Sequence, residues 1–144
     1  MARSLASLVV LRSASDYLPP DLRAYASDQR TVGSRVTCQP PPTDTDIDVL
    51  VFVPQGPIHR IMQVDGWKKD GRKFEAVNYI KKRDGYPNYF TSYRKGDVNL
   101  ITTRHERFYD LFSLATDLAQ RFNLLKKTDR IALFQAVLYG SKYH

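Results

Sequence analysis

The chain has 144 residues, 42% hydrophobic and 26% charged, a balance that excludes a disordered polymer and suits one domain. Cys38 is the single cysteine, which excludes an intramolecular disulfide, and no apolar run approaches the ~20 residues of a membrane span. A formal net charge of +7 and a pI near 9.6 favour polyanionic partners: nucleic acid, nucleoside triphosphates or an acidic protein.

In chain order, Met1 to Leu11 carries one charge and a short, polar-interrupted apolar stretch. It reads as the first element of a cytoplasmic protein rather than a secretion signal. Leu18-Pro19-Pro20-Asp21-Leu22-Arg23-Ala24-Tyr25-Ala26 starts as a helix, because prolines in a first turn lose no hydrogen bond. Residues 1–28 therefore read as a helical lead-in. Gln39-Pro40-Pro41-Pro42-Thr43 is a stiff loop. Ile47 to Val53 is β-branched and nearly continuous, the pattern of a strand buried on both faces, and Pro54 ends it. Ile58, Ile61 and Met62 are spaced for a short helix to Val64. Gly66 to Tyr89 is polar, basic and aromatic and fits no one element.

Phe90 to Lys95 and Asp97 to Thr102 read as one or two strands around Gly96. Phe108, Leu111, Phe112, Ala115, Leu118, Ala119 and Phe122 fall on one helical face, and Thr103 and Glu106 have the spacing of a capping box. A second helix runs from about Asp129 to Tyr139, turning Ile131, Phe134, Val137 and Leu138 inward, with Gly140 at a left-handed cap. Arg130 is expected to pair with Asp117 or Asp129. The stretch 104–140 is thus a helical pair. Strands in the middle and helices at both ends predict an α/β (α+β) domain, a mixed sheet flanked by helices.

The sharpest chemical signal is Gly33-Ser34, then eleven residues, then Asp46-Ile47-Asp48. Side chains alternate along a strand, so Asp46 and Asp48 face one way, roughly 7 Å apart. Two carboxylates on one face repel unless a cation lies between them or one is protonated. Mg²⁺ (or Mn²⁺) prefers oxygen ligands and takes one or two carboxylates plus substrate phosphates, so the pair suits a metal–nucleotide. Gly33 lets a backbone approach a phosphate closely, and Ser34 adds a hydroxyl donor. Asp-x-Asp also arises among solvent-facing strand residues; the Gly-Ser upstream and the buried-type strand downstream favour the metal. Asp97 is the candidate third carboxylate, since two-metal transfer draws a ligand from a neighbouring strand. By alternation it shares a face with Asn99, and a plain turn residue after Gly96 is its competing role. Arg94 and Lys95 are candidates to hold a triphosphate, or a solvated edge.

Gly-Ser, about a dozen residues, Asp-hydrophobic-Asp and a later acidic residue resemble the nucleotidyltransferase superfamily. Tyr93-Arg94-Lys95-Gly96-Asp97-Val98-Asn99-Leu100-Ile101 and Asp129 to Gly140 resemble, more narrowly, small nucleotidyltransferase-like proteins of tailed bacteriophages. The likeness covers roughly residues 30 to 140 and implies that Asp46, Asp48 and Asp97 bind metal while Gly33 and Ser34 hold phosphate. Two departures stand out: Gln29-Arg30-Thr31-Val32 is polar where the superfamily has an apolar strand, and a proline-rich insert precedes Asp46.

His59, His105 and His144 lack metal-ligand spacing with one another or with Cys38, so zinc is not expected. Trp67, Tyr79, Tyr86, Tyr89, Phe90 and Tyr93 interleave with Lys68, Lys69, Arg72, Lys73, Lys81, Lys82 and Arg83. That composition suits nucleic-acid stacking and, with some preference, a basic loop whose aromatics close the core. The expectation is a cytoplasmic Mg-dependent transferase (in the host cytoplasm if phage-encoded) that moves a nucleoside monophosphate from a triphosphate to a protein, RNA or small-molecule acceptor. The alternative is the same fold binding a host factor or nucleic acid with little or no catalysis.

Overall fold

The computed structural model describes residues 13–42, 46–69 and 90–140. Within them a mixed sheet is built from β1 (Asp28–Val32), β2 (Ile47–Phe52), β3 (Lys68–Lys69), β4 (Phe90–Lys95) and β5 (Val98–Thr103), in spatial order β1-β2-β5-β4-β3. The central pair, β2 and β5, is parallel, with Asp48 beside Asn99 and Leu50 beside Ile101. The other pairings are antiparallel.

Continuous apolar residues make β2 a central strand because both its faces are covered. Leu50 joins Val32, Ile101, Phe108 and Phe112 on one side. Val49, Val51 and Val53 join Leu22, Met62 and Leu100 on the other. Each such fully buried aliphatic side chain contributes roughly 1.5–3 kcal/mol. The first face is closed by α4 (Glu106–Phe122) and α5 (Lys127–Tyr139). The second is closed by α1 (Pro20–Arg23) and α3 (Ile58–Val64), the latter burying the expected Ile58, Ile61 and Met62. A single helical turn, α2 (Ser34–Thr37), follows β1 and packs beside α4. Among the described residues, no helix is long and apolar enough to cross a membrane.

The polar stretch Gln29 to Val32 is a strand after all. It lies at the sheet edge and buries only Val32, so polar side chains are tolerated there. The helix expected through Ala26 is one turn long. Asp97 does not open β5; it sits in the turn with Gly96, and the strand begins at Val98. Thr103 and Glu106 form no capping box: His105 is the N-cap of α4, and its backbone N–H donates to the Thr103 hydroxyl at 3.1 Å. Tyr109 and Thr116 are buried on α4, while Phe122 is 60% exposed. The left-handed cap is Asn123, φ 47°, at the end of α4; Gly140 is right-handed, φ −55°.

Arg130 also departs from expectation. Its Nη1 donates to the carbonyls of Leu124 at 2.9 Å and Leu125 at 2.7 Å, tying the α4–α5 connection. Asp117 is held instead by Arg30 at 3.0 Å. Trp67 and Tyr93 are core residues, packed with Met62 and Leu100. Phe90 is buried as well and Lys68 and Lys69 are exposed, while Tyr79, Tyr86, Tyr89, Arg72, Lys73 and Lys81 to Arg83 lie outside the described residues.

Candidate functional site

Strand alternation and register bring a polar group together at one end of the sheet. Parallel pairing sets Asp48 beside Asn99, and antiparallel pairing sets Asn99 beside Arg94 and Asp48 beside Val32. Cross-strand partners share a face, so Asp48, Asn99 and Arg94 form a row on the side covered by α4 and α5. Asp46, two residues before Asp48, accepts an ion pair from Arg94 at 2.8 Å. Asn99 Nδ2 donates to Asp48 Oδ1 at 3.2 Å, while Asn99 Oδ1 is buried without a hydrogen-bond partner.

The Gly33 bend closes this group from β1. Its φ of 80° with ψ of −175° is a backbone region reserved for glycine. A Cβ built there would overlap Asp48 Oδ2, so the absent side chain is what lets the carboxylate lie against the bend. Ser34 follows directly as the first residue of α2, whose Val36 and Thr37 N–H groups return to the Gly33 carbonyl at 3.0 Å.

Burial is the main influence on Asp48, raising its pKa from 3.8 to about 6. The Asn99 hydrogen bond opposes that rise, the Asp46 charge adds to it, and Arg94 and Arg35 oppose it. Asp48 is therefore a carboxyl whose charged form is under-solvated in the folded chain, and a nearby cation would stabilise it.

Of the predicted residues, Gly33, Asp46, Asp48 and Arg94 come together, with Ser34 adjoining. Asp97 and Lys95 do not join them. Asp97 is an exposed turn residue whose carbonyl accepts the Ile47 N–H at 2.8 Å, a strand-pairing role. Among the described residues, no three carboxylate, histidine or cysteine side chains group tightly enough to hold a metal ion. Lys95 alternates to the opposite face from Arg94. There its Nζ donates to the Asp65 carbonyl at 2.7 Å and lies 3.6 Å from the Asp65 carboxylate.

Asn99, two residues beyond the expected third carboxylate Asp97, is the residue that stands beside Asp48. The signal for it lies in the sequence: Asn99 sits between Val98 and Leu100 as Asp48 sits between Ile47 and Val49. A polar residue kept inside an apolar strand needs a polar neighbour, and parallel register supplies it. Comparison with family models, curated proteins and solved structures returned no match.

Proposed function

We propose that the Gly33–Asp48 end of the sheet binds a Mg²⁺–nucleoside triphosphate and transfers the nucleoside monophosphate to an acceptor hydroxyl. The observation that supports this most is the contact of a glycine-only bend with a half-buried carboxylate, which joins a phosphate-approach element to an acidic strand. The donor set fits a hard divalent cation: two carboxylates, Asp46 and Asp48, and a buried amide oxygen of Asn99 that lacks a partner.

Asp46, Asp48 and Asn99 Oδ1 would hold the ion. Bound there, Mg²⁺ supplies neutralisation of phosphate charge and polarisation of the α-phosphorus. Gly33 lets the Asp48 carboxylate lie against the bend, and Ser34 beside it offers a hydroxyl donor. Arg94, already fixed by Asp46, adds positive potential where negative charge accumulates on the leaving pyrophosphate. As the acceptor oxygen bonds to the α-phosphorus, the bond from that phosphorus to pyrophosphate breaks and the hydroxyl proton passes to solvent water.

A second reading has one specific observation behind it. Asn99 stands where a third carboxylate would complete a two-metal site, and an amide cannot supply that charge. In this reading the site binds nucleotide without appreciable turnover, and the domain acts by occupying a host protein or nucleic acid.

The experiment is incubation with Mg²⁺ and each α-labelled nucleoside triphosphate in bacterial lysate, for wild type, Asp46→Ala, Asp48→Ala and Asn99→Asp. Label transfer abolished by either alanine supports the transferase; transfer that survives both removes this site from consideration. Thermal stabilisation by Mg²⁺–nucleotide with no transfer, and transfer gained in Asn99→Asp, support the binding reading.

A further inference from the structure

A second concavity lies at the other end of the same strands. It encloses about 350 Å³ between the start of α3, the end of β5 and the start of β4. Its wall carries His59, Lys69, Arg104 and His105, and no carboxylate is among the described residues that line it. It shares no residue with the Asp46, Asp48, Asn99 and Gly33 group. Thr102 and Thr103 at its base lie three and four residues along β5 from Asn99, roughly 10–13 Å at strand rise.

The cationic groups are arranged rather than merely near. Arg104 Nη2 donates to the Gly56 carbonyl at 2.6 Å, which anchors the guanidinium to the β2–α3 loop. A guanidinium has five N–H donors, and the Gly56 contact uses one of them. The His59 ring is held by Tyr93, whose hydroxyl lies 3.2 Å from Nδ1. Tyr93 is 3% exposed and burial raises its pKa, so its hydroxyl keeps a proton that it can donate to Nδ1. In the tautomer in which Tyr93 donates, the ring N–H is on Nε2 and is a second oriented donor. Lys69 pairs in register with Tyr93, so it projects on the same face of the sheet and adds charge there.

Two anchored groups and two further basic side chains, with no carboxylate among the described residues of the lining, select an oxyanion. The enclosed volume is at the small end of ligand sites, which run from about 300 to 1,000 Å³, so the ligand is of mononucleotide or sugar-phosphate size. Tyr93 and the His59 ring give it an aromatic wall for the non-phosphate part.

We propose that this pocket is a binding site for a small phosphate monoester, separate from the acidic site and independent of whether that site is catalytic. Phosphate oxygens are held by Arg104 and His59 Nε2, with Lys69 supplying further positive charge and His105 standing beside them.

The test is titration of the full chain with inorganic phosphate and, separately, with adenosine and uridine monophosphates, at low ionic strength without Mg²⁺. Calorimetry and the histidine ring NMR resonances are the readouts. Saturable binding that shifts the His59 ring, weakened at least tenfold in Arg104→Ala and in His59→Ala but unchanged in Asp48→Ala, supports the site. Arg104→Lys, which keeps the charge but loses the fork, retains an intermediate affinity. Because Arg104 and His59 are exposed, their replacement leaves the core intact, and unshifted resonances elsewhere verify that. No saturable binding at millimolar ligand, or binding that both pocket variants leave unaltered, overturns the proposal. Loss on Asp48→Ala instead assigns the phosphate to the acidic site and also overturns it.

Discussion

Replacing Gly33 by alanine isolates the contact on which the acidic site is built. At φ 80° and ψ −175° a residue with a side chain is strained by on the order of 1–3 kcal/mol. The new Cβ also overlaps Asp48 Oδ2, so the carboxylate must rotate or the bend must open. Rotation sacrifices the Asn99 hydrogen bond, and bonds to charged groups are worth roughly 1.5–3 kcal/mol. The expected total is on the order of 3–4 kcal/mol, a large share of the ~5–15 kcal/mol that holds an ordinary domain folded. Melting falls by roughly 2–4 °C per kcal/mol for a domain of this size. Urea denaturation followed by circular dichroism, at pH 7.5, should be run on wild type, Gly33→Ala, Asp48→Ala and the double variant. Truncating Asp48 removes the overlap but not the backbone strain, so the alanine at 33 should cost about 1–2 kcal/mol less in that background. If the two substitutions add within ~0.5 kcal/mol, the bend and the carboxylate do not touch and the reasoning fails.

Asp48→Asn tests the electrostatics of the same side chain. The folded pKa of about 6 lies above the ordinary 3.8, so the folded state holds that proton more tightly than the unfolded chain does. The favourable contribution is complete below about pH 4 and is lost as pH rises through about 6. At ~1.4 kcal/mol per tenfold the loss is about 3 kcal/mol, and partial solvent contact lowers it to roughly 1–3 kcal/mol. The variant should be the more stable protein at pH 7.5 and match wild type at pH 3.5, as read by denaturant titration at both; a pH-independent difference contradicts the shift. Arg130→Met leaves the Leu124 and Leu125 carbonyls without their side-chain donor and should lower stability by roughly 1–3 kcal/mol, with partial recovery in Arg130→Lys. A thermal melt unchanged by Arg130→Met would show that water satisfies those carbonyls equally well.

Much of the sheet was legible because strand β2 advertises itself: seven residues from Ile47 to Val53 carry the apolar continuity that double-sided burial demands. The α4 stripe was legible for a similar reason, since Phe108, Phe112, Ala115 and Ala119 repeat at helical spacing. Caps were harder to read. Thr103 has the capping spacing, yet β5 runs on to Thr103 itself, so the helix starts later and the hydroxyl serves the N-cap backbone instead. Lys95 was paired with Arg94 in sequence, but neighbours along a strand face opposite ways, and Asp65 waits on the far side.

Alternation alone was enough to place Asp46 and Asp48 on one face, because a two-residue period is a property of the strand and not of its surroundings. Which residues would stand beside them was a matter of register: of β2 with β5, segments some fifty residues apart, of β5 with β4 in a hairpin, and of β1 with β2. The β2–β5 register put Asn99 next to Asp48, and the β1–β2 register brought Gly33 against the carboxylate. A linear pattern carries the direction of a side chain; only packing decides what it meets.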